Sequence, residues 1–80
     1  MATVHLPSGW IQYTDGLDPI AIEAGRVDEM LLALAARFPA LAPLLEQVAI
    51  AIDGQVYHHA RYEPLAAHSD VYLLPPVSGG

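Results

Sequence analysis

Apolar and polar positions alternate at the start of the chain, where Ala2-Thr3-Val4-His5-Leu6 puts Val4 and Leu6 on one face of a short strand. Pro7-Ser8-Gly9 closes it. Trp10-Ile11-Gln12-Tyr13 then either extends a hairpin or forms a loop packed on the core, and Asp15-Gly16 and Asp18-Pro19 carry turn chemistry. Ile20-Ala21-Ile22-Glu23 is the second strand, ended by Gly25, so that the chain opens as a hairpin with a turn-rich connection.

From Val27 the period changes from two to about 3.6. Val27, Met30, Leu31, Leu34 and Phe38 recur at i, i+3, i+4, i+7 and i+11, the signature of a helix laid over a core. Asp28 and Glu29 fall in its first turn, where carboxylates suit the helix dipole. Its start is weakly marked, because neither Gly25 nor Arg26 is a strong cap. Pro39 ends it, and Pro43 suits the first turn of a short helical segment within Ala40 to Gln47. Val48, Ile50 and Ile52 then alternate with small or polar residues as a third strand. Asp53-Gly54 is the strongest hairpin signal in the chain. Gln55 to His59 is read as a short return strand, Arg61 to Asp70 as a connecting loop, and Val71 to Leu74 as the last strand.

An order of strand, strand, helix, strand, short strand, strand admits one compact solution: an α+β fold, with a mixed sheet of four to five strands and one main helix packed across one face, the last strand pairing with the first. This is the β-grasp, or ubiquitin-like, arrangement. It occupies residues 1–74, and residues 75–80 are left as a flexible tail. With 80 residues the chain is one domain, and at that size a core buries only roughly 60–65% of what the unfolded chain exposes. A deep enzyme cleft does not fit.

Composition narrows the function classes. The hydrophobic share is 54% against 15% charged, rich for so small a domain, and part of that apolar surface is expected to meet a partner. There is no cysteine, hence no disulfide, thiolate metal site or cysteine nucleophile. The net charge of −6 sets nine Asp+Glu against three Lys+Arg, which are Arg26, Arg37 and Arg61, with no lysine. Such a balance argues against a nucleic-acid partner, whose phosphates demand clustered cations, and favours a basic protein. No apolar run reaches the roughly 18–20 residues of a membrane span, and no signal-peptide pattern opens the chain, so a soluble cytoplasmic protein is expected.

The chain closes on Pro75-Pro76-Val77-Ser78-Gly79-Gly80, and this "PPVSGG" resembles the tail of the MoaD/ThiS family of sulfur carriers, most of all that of the molybdopterin synthase small subunit. The likeness extends over "VDEMLLALAARFPAL", "AIDGQVY" and "DVYLLPPVSGG". It implies that the Gly80 carboxylate is activated as an acyl-adenylate and converted to a thiocarboxylate, with Pro75, Pro76, Val77, Ser78 and Gly79 inserted into partner active sites. The physical logic agrees. A glycine pair has no Cβ to obstruct a narrow channel, while Pro75 and Pro76 hold their φ angles near −65° and bias the chain to extend. The resemblance further implies a co-substrate rather than an enzyme, with no stably bound cofactor. ATP would be used by a ubiquitin-activating-type adenylyltransferase. A sulfur-accepting enzyme, the molybdopterin synthase large subunit in the leading reading, would be the second partner.

The opening departs from that subfamily: "TVHLPSGWIQYTDG" lacks its aromatic-rich strand and Arg-Glu pair and is more similar to carriers of the cysteine-biosynthesis type. Carriage of sulfur to cysteine, thiamine or another metabolite therefore stays open, as do a ubiquitin-like modifier joined through Gly80 and an interaction module with an inert tail. Tyr72 and Leu74 alternate with Val71 and Leu73, so the pair facing away from the helix forms an apolar docking patch beside the tail, with Tyr57 as an added candidate. Among the histidines, His58 and His59 in a strand point to opposite faces and cannot share one ion, so no metal site is expected. His5 and His59 read as surface or edge residues. His68-Ser69-Asp70 are neighbours that cannot take triad geometry, and the family resemblance implies a turn there.

Overall fold

Residues 1–57 and 61–75 are described by the computed structural model. β1 (Ala2–His5) pairs antiparallel with β2 (Ile20–Ile22) in the register Ala2 to Ile22 and Val4 to Ile20. β5 (Asp70–Leu74) runs parallel to β1 and antiparallel to β3 (Ala49–Ile52), and β4 (Gln55–Tyr57) lies outside β3. The sheet order is β2-β1-β5-β3-β4. The expected β-grasp arrangement is what forms, with the last strand seated against the first.

One face of this sheet is covered by α1 (Val27–Arg37). Val27, Met30 and Leu34 are fully buried and meet Val4, Ile20, Ile22, Ile50, Val71 and Leu73, while Leu31 and Phe38 pack at the margin. After α1 a 3-10 turn, Pro39–Leu41, leads into the four-residue helix α2 (Ala42–Leu45), and the two contribute Leu41 and Leu45 respectively to the same core. These elements agree with the periodicity read from the sequence.

Two local outcomes were not set by the pattern. Residues Trp10 to Tyr13 do not extend the hairpin; Ser8–Thr14 is a 3-10 helix whose Trp10 and Thr14 are buried. The Thr14 hydroxyl donates toward the Ile11 and Leu17 carbonyls at 3.1 and 2.8 Å, and Asp15 closes the segment in a left-handed conformation at φ 56°. The start of α1 is likewise held from a distance. Arg26 caps nothing with its side chain. Instead the N–H groups of Val27 and Asp28 donate to the carbonyls of Glu63 and Arg61 at 3.0 and 2.8 Å, and the Leu65 N–H donates to Gly25. Free donors of a helix's first turn are thus satisfied by a loop more than thirty residues later.

The β3–β4 turn fits its sequence. Asp53 and Gly54 take φ 48° and 89°, the two positive values of a type I′ turn, which matches the strands' right-handed twist. His58 and His59, assigned from sequence to the end of β4, lie outside the described residues.

Leu34→Ala is expected to lower unfolding free energy by about 2–5 kcal/mol, since it empties a fully buried site. Gly54→Ala meets no atom within 4 Å yet is expected to cost roughly 1–2 kcal/mol through its positive φ, whereas Gly9→Ala, also unobstructed, should be near neutral. Chemical denaturation of the three variants checks both statements.

Candidate functional site

The strand that leads to the tail is divided cleanly between two faces. Val71 and Leu73 point to the helix and are 0% and 2% exposed, whereas Tyr72 points away and is 48% exposed. Leu74 shares the outward face, as expected of the Tyr72–Leu74 pair, and Pro75 is exposed at the strand's end. Pro76, Val77, Ser78, Gly79 and Gly80, the remaining tail residues singled out from sequence, lie outside the described residues.

Register assigns the rest of this outward face. Leu74 is level with Ala49, and Tyr72 is level with Ala51 on one side and His5 on the other. Val56 on β4 is level with Ala51 and 51% exposed, so it joins the patch. Tyr57 does not. It is level with Ile50, whose side chain is buried under the helix, so strand alternation turns Tyr57 to the helix side, where it packs against the core. The one-residue difference was invisible without the β3–β4 register, because the turn fixes which strand residue faces out.

His5 and Tyr72 stack, with ring centroids 4.2 Å apart and planes 11° from parallel. The Nε2–H of His5 donates to Asp70 Oδ1 at 3.2 Å. Three residues from two parallel strands therefore form one cluster on the open face. The parallel pairing that makes it, Thr3 to Asp70 and His5 to Tyr72, is contact between the two ends of the described chain. His5 was expected at the surface or an edge; its partnership with Asp70 and Tyr72 needed the topology. Asp70 is anchored behind by its own main chain, its N–H donating to Asp53 Oδ1 at 2.9 Å and its carbonyl accepting from the Asp53 N–H at 2.9 Å. Ser69, in the turn expected there, is buried and accepts the Ala66 N–H on its hydroxyl at 2.9 Å. That bond commits Ser69 to the turn.

A cavity of about 310 Å³ opens on the opposite, helix side, lined by apolar residues of α1 and α2 with Asp28, Glu46, Arg61 and Tyr62. It gathers no nucleophile beside a base. Among the described residues no three His, Cys, Asp or Glu converge as metal ligands, and no helix is long and apolar enough to cross a membrane. What the fold offers is a partly apolar sheet face, next to the point where the last strand runs into Pro75.

The family model of the ThiS family matches residues 11–80. The chain belongs to the ThiS family. Solved structures with the same fold include the Amycolatopsis orientalis BexX/CysO complex, whose matching chain is 17% identical with TM-score 0.84 over 100% of both chains. The small archaeal modifier protein 1 of Methanosarcina acetivorans is 23% identical with TM-score 0.84, over 99% of this chain and 95% of that one. The complex of subunits 1 and 2 of the molybdopterin-converting factor from Helicobacter pylori 26695 contains a chain 24% identical with TM-score 0.69, over 99% and 97%. No curated protein sequence matches. This ThiS-family chain thus has the β-grasp, ubiquitin-like fold shared by sulfur carriers and small protein modifiers.

The His5–Tyr72 stack is expected to couple the two side chains by about 0.5–1 kcal/mol. A double-mutant cycle of His5→Ala and Tyr72→Ala, read by denaturant unfolding, measures it, and additive losses would mean that the rings stand side by side without interacting.

Proposed function

We propose that this ThiS-family chain is a sulfur carrier that acts through the Gly80 carboxylate. The observation that carries the reading is the family match running through Gly79-Gly80, behind a strand seated at the centre of the β-grasp sheet. A ubiquitin-activating-type adenylyltransferase supplies the energy. One carboxylate oxygen attacks the α-phosphate of ATP, pyrophosphate leaves, and Gly80 becomes an acyl-adenylate. A hydrosulfide-level sulfur donor then adds to the acyl carbon, AMP departs, and a thiocarboxylate remains. In the accepting enzyme the thiocarboxylate sulfur bonds to an electrophilic carbon of the substrate, and water restores the carboxylate.

Division of labour follows from size and charge. A domain of 80 residues leaves little interior for a deep cleft, so the tail is brought to the chemistry, with Pro75 and Pro76 starting it in an extended direction and Gly79-Gly80 threading each active site. Tyr72 and Leu74, joined by Val56, provide the face on which partners dock. For the acceptor we take the pterin precursor held by a molybdopterin synthase large subunit, on the likeness of the PPVSGG tail and on the similarity of fold to a chain of the two-subunit Helicobacter complex. A cysteine-type acceptor is the second reading. It is favoured by the opening sequence and by full-length similarity of fold to the chain in the BexX/CysO complex. A modifier role, in which Gly80 forms isopeptide bonds with lysines of other proteins, is favoured by the similarity to the archaeal modifier.

Intact mass of the protein recovered from its host under conditions that spare thioacids is expected to show a population heavier by one oxygen-to-sulfur exchange, absent when Gly80 is deleted. Gly80 found only in isopeptide linkage would transfer the assignment to the modifier reading, and a free carboxylate alone would leave an interaction module. Deleting the gene should abolish molybdoenzyme activity, with cysteine auxotrophy instead marking the second acceptor.

A further inference from the structure

The outward sheet face is graded along β5. Leu74 beside Ala49 stands at the end where Pro75 leaves, Tyr72 stands in the middle between His5 and Ala51, and Asp70 stands at the far end beside Thr3. Asp70 precedes Leu74 by four residues, about 13 Å at a strand rise of roughly 3.3 Å per residue. The tail end is apolar and the far end is anionic.

Charge is segregated across the molecule. Arg26 precedes α1, pairs with Asp28 at 3.1 Å and lies over Tyr62 at 5.8 Å. Arg37 is in the last turn of α1 with its guanidinium 5.1 Å from the Phe38 ring centre, and Arg61 belongs to the loop whose carbonyls cap that helix. All three arginines of the chain are therefore tied to the helix layer, and there is no lysine. Among the described residues the sheet face carries Asp70, 61% exposed, next to the exposed Asp53, with His5 as its one basic side chain. A partner covering Tyr72 and Leu74 also strips water from Asp70. A carboxylate covered at an interface is costly unless it is paired, and His5 meets Oδ1 alone, which leaves Oδ2 to a donor from the partner.

We infer that the adenylyltransferase docks on this face and presents an arginine, whose guanidinium meets the Asp70 carboxylate and packs against the Tyr72 ring, about 13 Å along the strand from Leu74. The inference rests on the carrier reading and adds the chemistry of its partner. Arginine fits better than lysine here. Its planar, weakly hydrated group stacks on an aromatic ring and offers paired N–H donors to a carboxylate in one geometry. Ala51 beside Tyr72 is small, and the ring, stacked on His5, remains half exposed to a partner. The apolar end then aligns the tail with the enzyme's channel while the ion pair fixes rotation about it.

The test is pyrophosphate exchange with the host's own adenylyltransferase, the carrier being varied in concentration. Asp70→Asn is expected to raise the KM for the carrier about tenfold with kcat within about twofold, and to flatten the dependence of KM on salt. Tyr72→Ala should act in the same direction, and Glu46→Gln on the helix side should change nothing. Asp70→Arg should be worse than Asp70→Asn, and reversing the enzyme's arginines to glutamate one at a time should restore it at a single position, a readout that a misfolded carrier could not give. Unchanged KM and salt slope for Asp70→Asn, with exchange intact, would overturn the inference and leave the carrier standing. No exchange with the wild-type chain, together with no thiocarboxylate in the host, would remove the carrier reading and this inference with it.

Discussion

Parallel pairing of the first strand with the last is the contact on which the rest of the molecule depends. β1 and β5 sit side by side at the heart of the sheet, and each then offers its other edge to an antiparallel neighbour, β2 or β3. The pairing joins residues separated by nearly the full chain, such as His5 and Asp70 at a separation of 65. Closing so long a loop costs entropy, though only about 0.6 kcal/mol for each doubling of length. Two fully buried valines, Val4 and Val71, are paired directly across the junction and offset it. Because a parallel pair needs a crossover, the chain must pass over one face of the sheet between β2 and β3, and α1 makes that crossing.

That crossover explains why α1 can begin without a capping side chain. The segment 61–65, returning from β4 towards β5, passes the helix N-terminus and lends its carbonyls to the first turn. A local cap would have made the helix start independent of the topology; here the start exists only when the crossover is complete. Arg26 bridges to Pro64 at the same place. Helix, connecting loop and final strand are consequently one cooperative unit, and the direction in which β5 delivers Pro75 is set by the same contacts that hold α1 over the sheet.

The periodic elements were legible in the sequence because burial alone decides them: Val27, Met30 and Leu34 can share only a helix face, and Val71 and Leu73 only a strand face. The Asp53-Gly54 turn was legible because its two positive φ angles restrict the residues that can occupy it. Trp10 to Tyr13 was not, since a tryptophan near a glycine fits a strand end and a 3-10 turn equally well, and the choice is made by the buried Thr14 hydroxyl. Of the outward sheet face, Tyr72 and Leu74 followed from alternation within one strand. Val56 in place of Tyr57, and His5 against Tyr72, depend on which strands are neighbours and in what register, information that alternation inside a single strand does not contain.

The proposed carrier role requires recognition by more than one enzyme, with the reactive carbon kept away from the domain's own surface. Those demands explain why charge and chemistry are separated in space. A diglycine can enter several active sites only if nothing in it is specific, so discrimination among partners has to reside in the folded domain. Arg26 and Arg37 are held in contacts of the helix layer and Arg61 lines the cavity on that side, so that among the described residues the sheet face carries no arginine. A face with an apolar end and an anionic end has a polarity, and a partner that matches it can seat the domain in one orientation only. Apolar contact alone, being non-directional, would allow the domain to rotate and the tail to miss the channel. The acidic end supplies the direction that the apolar end lacks, and it can do so because β1–β5 pairing fixes Asp70, Tyr72 and Leu74 on one rigid strand that runs straight to the tail.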